Sequence, residues 1–243
     1  MNTQIIILAA GKGTRMGHPE LPKVLVELRG KPLISYLLEE VSKLRLSPAV
    51  IVVGFKSELV KQALGPGYIY ASQLQQLGTA NAVAEGLKYT TAENVLALYG
   101  DMPLIKSESL NRLIAYHDET KSVLTMFVAK VPNFEDEFSN FLGFGRIVRD
   151  EAGRIAEIKE YVNCSKEEQA ITEVNPGIYI FKTNWLLNNI GKIPQSRQGE
   201  FYLTDAVSLA REQQIVINFL AIEPHEVFGV NTLSELKQAE RFL

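Results

Sequence analysis

The sequence has one cysteine, Cys164, and only three histidines among its 243 residues. One cysteine cannot form an internal disulfide, and it cannot by itself supply the thiolates of a zinc site. The histidines, His18, His117 and His225, lack the spacing of metal ligands, so we expect them to be surface or loop residues. The sequence therefore predicts neither a disulfide framework nor a zinc centre.

Long apolar runs and an excess of positive charge are missing as well. The longest apolar run near the start, Ile5–Ala10, is far shorter than the roughly 20 residues that cross a bilayer, and no basic segment precedes it. The formal net charge of −3 provides no general attraction for nucleic acid. We therefore expect a cytoplasmic protein with neither a membrane nor a nucleic-acid partner, and the sequence predicts no particular oligomeric state.

Short apolar runs alternate with amphipathic stretches along the chain, and the apolar fraction of 46% suffices for a sizeable core. Such alternation is typical of βαβ units, so we predict one α/β domain over residues 1–243, with a mixed, mostly parallel sheet flanked by helices and a less regular second half. We predict strands over 4–10, 48–54, 68–71, 94–99, 123–131, 145–149, 154–158 and 177–181, and helices over 32–44, 57–64, 79–88, 184–190, 203–213 and 232–242. Residues 135–142 are expected to be a connector, 151–153 a hairpin turn, and Ser57 a helix N-cap.

A glycine-rich loop follows the first predicted strand. Gly11 and Gly13 allow several backbone N–H groups to approach a phosphate, and Lys12 and Arg15 add cationic donors. The loop is not a dinucleotide-binding fingerprint, because Met16 stands where the third glycine is required, and no P-loop Gly-Lys-Ser/Thr follows. Taken alone, it is also compatible with a simple strand-to-helix turn.

A second segment, residues 21–25 (LPKVL), places Lys23 next to Pro22, whose restricted backbone favours a fixed position for the lysine near the same phosphates. Residues 8–16 followed by 21–25 resemble the signature of the sugar-1-phosphate nucleotidyltransferases. The resemblance continues through the segments QLGT, YGDMPL, FGRIV, NPGIY, EFYLTD and GVN, and so extends from residue 5 to about residue 231.

In order and spacing, these segments are most similar to the uridylyltransferase half of the bacterial bifunctional N-acetylglucosamine-1-phosphate uridylyltransferases. The resemblance implies a Rossmann-like nucleotidyltransferase fold. That family carries a C-terminal left-handed β-helix acetyltransferase domain, which we do not expect within these 243 residues.

The resemblance implies that a sugar-1-phosphate oxygen attacks the α-phosphorus of UTP, giving a UDP-sugar and pyrophosphate. Because the attacking oxygen is already anionic, the enzyme has to align two polyanions and neutralise charge rather than provide a base. Asp101 follows a buried strand, at the sheet edge where ligands gather, and Mg²⁺ needs only one or two protein oxygens. The resemblance implies that Asp101 and Asn231 hold Mg²⁺ and that Arg15 and Lys23 act on the phosphates.

The resemblance also implies which residues contact the two substrates, and N-acetylglucosamine-1-phosphate is the expected sugar substrate. Those for the nucleotide are Leu8, Ala9, Ala10, Gly11, Lys12, Gly13, Gln73, Gly78, Thr79, Tyr99 and Gly100. Those for the sugar phosphate are Gly145, Glu160, Asn175 and Thr204. The chain departs from the family pattern at Ala80, Asn81, Val162, Asn163 and Pro176, where relatives carry Gly-His, Lys-Asp and Thr.

Several alternatives stay open at this point. An enzyme of the same fold could use glucose-1-phosphate, TTP or CTP, and a catalytically silent UTP-binding regulator could keep the same nucleotide residues. Taken singly, Asp101 and Asn231 are also compatible with helix N-caps, and Gln73 and Glu160 with solvated polar side chains. A substrate panel separates these alternatives.

Overall fold

A computed structural model describes residues 2–243. The strands are β1 (Thr3–Ala9), β2 (Glu27–Leu28), β3 (Lys31–Pro32), β4 (Val50–Val53), β5 (Ile69–Ser72), β6 (Asn94–Tyr99), β7 (Leu124–Lys130), β8 (Gly145–Arg149), β9 (Ile155–Lys159), β10 (Glu173–Asn175), β11 (Tyr179–Lys182) and β12 (Ile217–Ile222). The α-helices are α1 (Leu33–Lys43), α2 (Ser57–Leu64), α3 (Thr79–Leu87), α4 (Ser107–Glu119), α5 (Lys166–Gln169), α6 (Thr183–Asn189), α7 (Asp205–Glu212) and α8 (Leu233–Ala239).

A ten-stranded sheet runs through the molecule in the order β5-β4-β1-β6-β11-β7-β10-β8-β9, and β12 pairs with β7. β1, β4, β5 and β6 are mutually parallel, as the βαβ alternation predicts. β9, β10 and β11 run opposite to the other strands. The prediction of a mixed, mostly parallel sheet is therefore confirmed. β2 and β3 form a separate two-stranded ladder.

The central strand β1 is buried on both faces, which explains its uninterrupted apolar sequence. Ile5 and Ile7 belong to the core on the side of α1 and α4, whereas Ile6 belongs to the core on the side of α3. Helix α3 approaches the strand closely, because a Cβ at Gly86 would lie 2.7 Å from Ile6 Cγ2. Helices thus cover both faces of the sheet, as expected. None of the helices within residues 2–243 combines the length and apolarity that a bilayer crossing requires.

The predicted strands and helices are confirmed to within a few residues, but six strands and α-helices were not predicted: α4, α5, β2, β3, β10 and β12. The expected connector, 135–142, overlaps a 3-10 helix, Asp136–Gly143. The prediction that Ser57 caps α2 is wrong, because Lys56 occupies the N-cap position with a left-handed φ of 46°. No side-chain oxygen caps this helix.

The prediction that all three histidines are surface or loop residues is wrong for His117. This residue lies in α4 and is 0% exposed, with its Nδ1 2.8 Å from Thr125 Oγ1. Its position is explained by helical spacing, because Leu110, Leu113 and Ile114 form the same buried face. Burial, and secondarily the positive charge of Lys182, lowers the pKa of His117 to about 4.

Candidate functional site

The candidate site lies at a break within the sheet. β12 pairs with β7 from residue 124 to residue 129, so β11 and β10 lie one after the other along the opposite side of β7. β6 pairs with β11 and β8 pairs with β10, which sets β6 and β8 end to end. The end of β6 at Tyr99 and the start of β8 at Gly145 therefore face each other across residues 176–178. Open α/β sheets commonly bind ligands just outside the carboxyl ends of their strands, and β6 ends here.

Gly177 makes this break possible. Its φ of +77° lies in the left-handed region, and a Cβ there would be only 2.5 Å from Tyr99 Cε2. The Tyr99 ring therefore packs directly on the main chain of the break. Burial raises the pKa of the Tyr99 hydroxyl. This hydroxyl consequently stays protonated and can serve as a neutral hydrogen-bonding group.

Two pockets adjoin at Tyr99 and Asp101, which line both. We name the first the loop pocket, with a volume of about 230 Å³ beside the glycine-rich loop, and the second the break pocket, with a volume of about 220 Å³ beside Gly177. The loop pocket is lined by eight of the expected nucleotide residues: Leu8, Ala9, Ala10, Gly11, Gln73, Gly78, Thr79 and Tyr99. The break pocket is lined by all four expected sugar residues: Gly145, Glu160, Asn175 and Thr204.

Lys23 joins the two expected metal ligands. Its Nζ forms an ion pair with the Asp101 carboxylate and donates a hydrogen bond of 2.6 Å to Asn231 Oδ1. The main chain brings the two ligand segments together, because Val230 N donates to Asp101 O over 2.9 Å. Two oxygens from distant segments therefore face a single cationic position.

The helix N-cap alternatives for Asp101 and Asn231 are wrong. The next α-helix after Asp101 is α4, which begins only at Ser107. The cap of α8 is Thr232, whose Oγ1 accepts from Glu235 N over 3.2 Å. Asn231 uses its backbone N–H for Glu235 Oε2, and its side chain is free to face Asp101 and Lys23.

The glycine-rich loop packs against Lys23 rather than opening into a regular helix. Gly13 has a φ of +66°, and a Cβ there would lie 2.7 Å from Lys23 Cβ. Gly100 N donates to Leu8 O over 3.0 Å and so ties the end of β6 to the end of β1. These two glycines position the walls of the site but do not line either pocket.

The other two cations of this region, Lys12 and Arg15, line neither the loop pocket nor the break pocket. Lys12 is exposed and lines a neighbouring pocket that includes Gln73 and Phe55, and Arg15 is exposed on the 3-10 turn Thr14–Met16. The structure thus brings Lys23 to the expected metal ligands but does not bring Lys12 or Arg15 there.

Gln73 is 5% exposed, so the alternative of a solvated glutamine is wrong. Its Nε2 donates to Gly78 O over 3.0 Å and to Asn81 Oδ1 over 2.8 Å. The neighbouring Gln76, which was not singled out in the sequence, donates from its Nε2 to Ala10 O over 2.7 Å. Both amides therefore fasten the loop after β5 to the walls of the loop pocket.

A second main-chain contact closes this side of the loop pocket. Gly78 has a φ of +100°, and a Cβ there would lie 2.5 Å from Phe201 O. Ala80 N donates to that same oxygen over 2.9 Å, and Leu203 N donates to Thr79 Oγ1 over 2.9 Å. The start of α3 is therefore tied to the segment 201–203, which leads to Thr204 in the break pocket.

In the break pocket, Thr204 contacts Glu160. Its Oγ1 donates to Glu160 Oε1 over 3.0 Å. Burial raises the pKa of the Glu160 carboxyl, and the Thr204 hydroxyl partly offsets this effect. Glu160 is therefore not the solvated charge of an exposed strand, and that alternative is wrong.

Asn175 has a fixed orientation, because its Oδ1 accepts from Gly177 N over 2.9 Å, which leaves its Nδ2 as a donor for the pocket. A side chain at Gly145 would be crowded, since a Cβ there would lie 3.0 Å from Ile158 Cγ2. Among the positions that depart from the family pattern, Pro176 lines the pocket, whereas Val162 and Asn163 are exposed outside its lining.

The family description "MobA-like NTP transferase domain" matches residues 5–172. The chain is 36% identical over 242 residues to the bifunctional protein GlmU of Brevibacillus brevis, covering 98% of this chain and 51% of that protein. It is 39% identical over 248 residues to the bifunctional protein GlmU of Pelobacter propionicus, covering 100% of this chain and 52% of that protein. The chain thus spans about half the length of these relatives.

The fold is also found in a solved structure from Bacillus anthracis, assigned as a glucose-1-phosphate thymidylyltransferase in complex with sucrose. The TM-score is 0.77 at 19% identity, with 99% of this chain and 94% of that chain covered. At this identity the likeness concerns the fold, and it confirms the Rossmann-like nucleotidyltransferase architecture. On its sequence match and its fold, the chain belongs to the family of MobA-like NTP transferase domains.

Proposed function

We propose that the chain transfers the uridylyl group of UTP to a hexose-1-phosphate, with N-acetylglucosamine-1-phosphate as the first candidate. The observation that carries this proposal is the pair of adjoining pockets that share Tyr99 and Asp101. Transfer between two phosphorylated substrates requires that both lie side by side with their reacting groups at the junction. The charged cluster of Lys23, Asp101 and Asn231 lies at this junction.

In this proposal the base and ribose occupy the loop pocket, and the triphosphate lies along the glycine-rich loop toward Lys23. The lining supports this assignment, because Leu8, Ala9 and Ala10 offer an apolar wall for a flat base. Lys23 donates to the phosphate oxygens and offsets their charge, which is the main requirement of phosphoryl transfer.

Asp101 and Asn231 fit a magnesium site. Carboxylate and amide oxygens are the ligands that Mg²⁺ prefers, and here both contact the Lys23 ammonium nitrogen, so both already point at one cationic position. Lys23 holds this position here, and with the ion bound its ammonium would turn to the phosphate oxygens. When bound, the ion would supply charge neutralisation at the phosphoryl group that is transferred.

The sugar phosphate occupies the break pocket. Glu160, oriented by Thr204, accepts from hydroxyl groups of the hexose, and the Nδ2 of Asn175 donates to the sugar. Gly145 and Gly177 line this pocket, and because glycine has no side chain, they leave room beside the hexose ring. The resemblance of the sequence is the ground for naming N-acetylglucosamine-1-phosphate. Cytoplasmic UTP and sugar phosphates suit a cytoplasmic location.

A panel of four nucleoside triphosphates, each with several hexose-1-phosphates, tests the proposal by pyrophosphate release and by the mass of the product. We expect release with UTP and N-acetylglucosamine-1-phosphate, loss of release with a chelator, and recovery with added Mg²⁺. Lys88→Ala, an exposed lysine paired with Glu85, is the control variant and is expected to behave as the parent. Release with a different pair would replace the proposed substrates, and UTP binding without any release would indicate a silent regulator.

A further inference from the structure

The Gln73 amide in the loop pocket has a defined orientation. Its Nε2 lies 3.0 Å from Gly78 O and 2.8 Å from Asn81 Oδ1. A backbone carbonyl can only accept, so the Gln73 atom that faces Gly78 must be the NH₂ group. The carbonyl oxygen of the amide is therefore the atom left for a ligand.

Asn81 supplies the second acceptor for this NH₂ group. It lies in the first turn of α3, two residues after Thr79, and it replaces the histidine that the family pattern has at this position. Rotating the Gln73 amide by half a turn would set its carbonyl oxygen against both Gly78 O and Asn81 Oδ1. In a side chain that is 5% exposed, such unpaired and opposed polar atoms are costly.

We propose that Asn81 is a positioning residue that locks the Gln73 amide with its oxygen toward the nucleobase, and that this lock selects an imide base such as uracil over cytosine. The inference rests on the proposed function, in which the loop pocket holds the base. The N3–H of uracil donates to an acceptor at this point. Cytosine presents a lone pair at N3, which leaves two acceptors facing each other.

The test compares Asn81→Leu, which removes the acceptor, with Asn81→Asp, which keeps an acceptor oxygen in place. For each protein, the KM and kcat for UTP and the inhibition constant of CTP against UTP are measured. Loss of one hydrogen bond of this kind is expected to raise the KM for UTP about fivefold in Asn81→Leu, with kcat unchanged. The inhibition constant of CTP should stay constant or fall, so that the preference for UTP narrows. Asn81→Asp should keep the preference of the parent.

A parent-like ratio of the UTP KM to the CTP inhibition constant in Asn81→Leu would overturn the role of Asn81. An equal loss of the preference for UTP in Asn81→Asp would also overturn this role. Asn81→Asp keeps the acceptor oxygen, so such a loss would show that the acceptor is not what matters. Thermal unfolding of each variant verifies folding, and Asn81→Ala replaces Asn81→Leu if the latter does not fold. If the parent uses UTP, these outcomes refute only the role of Asn81. If the parent neither binds UTP nor releases pyrophosphate, the proposed function and the role of Asn81 are refuted together.

Discussion

Lys23 Nζ lies 2.6 Å from Asn231 Oδ1, although the two residues are separated by 208 positions in the sequence. The same ammonium is paired with Asp101 at the end of β6. Three segments therefore meet at one charge: the turn after the glycine-rich loop, the end of a central strand and the residue before the cap of α8. Residues that share a charged partner in this way are expected to be energetically coupled.

Asp101→Asn tests the charge at this meeting point. The change keeps the size of the side chain and removes the carboxylate that holds Lys23 and, in our proposal, Mg²⁺. We expect turnover to fall by a factor on the order of 100 or more, because charge stabilisation dominates phosphoryl transfer, while the fold persists. The measurement is kcat together with circular dichroism, and near-normal turnover at limiting Mg²⁺ would contradict the assigned role.

Gly78→Ala tests the main-chain contact that closes the loop pocket. The new methyl group would meet Phe201 O at 2.5 Å in a residue with a φ of +100°. We expect a loss of about 1–3 kcal/mol in the free energy of unfolding, measured by urea denaturation. Gly67→Ala is the matched control, because no atom lies within 4 Å of its Cβ position and its φ is not in the left-handed region. Equal stability of the two variants would refute the close contact.

His117 predicts a specific acid sensitivity. Its pKa is lowered to about 4 in the folded protein by burial, whereas the reference value is 6.5. The unfolded chain therefore binds a proton in this range that the folded protein does not, so stability is full above pH 6.5 and falls as the pH drops toward 4. The loss at pH 4 is on the order of 3 kcal/mol.

Urea unfolding at pH 7, 5.5 and 4 measures this loss. In His117→Gln the difference between pH 7 and pH 4 should shrink, because the replaced side chain no longer takes up a proton. His18→Gln, at an exposed position, serves as the control and should keep the pH dependence of the parent. An unchanged slope in His117→Gln would assign the acid sensitivity to other groups.

Glu160→Gln should separate stability from activity. Burial raises the pKa of this carboxyl, so ionising it costs more in the folded protein than in the unfolded chain. The folded protein therefore loses stability as the pH rises from the ordinary carboxyl pKa of 4.5 to above the raised pKa of Glu160. A glutamine at this position stays neutral and avoids the loss. At neutral pH we therefore expect Glu160→Gln to have a higher free energy of unfolding and a higher melting temperature than the parent.

The gain in Glu160→Gln should disappear below the ordinary carboxyl pKa of 4.5, where both forms are uncharged. The KM for the sugar phosphate should rise at the same time, because an amide accepts less strongly than a carboxylate from the sugar hydroxyl groups. Melting curves at pH 4 and pH 7.5 and a KM for the sugar phosphate check both expectations. A melting temperature at neutral pH that is lower in Glu160→Gln than in the parent would contradict a costly buried charge at Glu160.

Much of the fold was accessible from local patterns. Continuous apolar runs predicted β1, β4 and β6 because strands buried on both faces need apolar side chains at every position. Asp101 was found for a related reason, since the residue after a parallel strand must lie at the sheet edge. These features depend on neighbours in sequence, so periodicity reveals them.

The rest depends on contacts that are distant in sequence. β10 has three residues and becomes a strand only because β7 and β8 pair with it, and β12 is recognisable as a strand through its pairing with β7. Helix α4 was missed because most of its surface is polar and its N-cap residue, Lys106, makes no capping hydrogen bond. The orientation of the Gln73 amide similarly follows from the turn that brings both Gly78 O and Asn81 Oδ1 beside it.

The break at Gly177 has a consequence for how the two substrates are spaced. The gap between the end of β6 and the start of β8 lies between Tyr99 and Gly145. One continuous segment of main chain, β10 followed by β11, spans this gap and is hydrogen-bonded along β7. The separation between the nucleotide and its acceptor is thus set by the pitch of a backbone ladder and not by surface loops. Insertions or deletions within 173–182 should therefore abolish transfer, whereas length changes at the 151–153 hairpin tip should be tolerated.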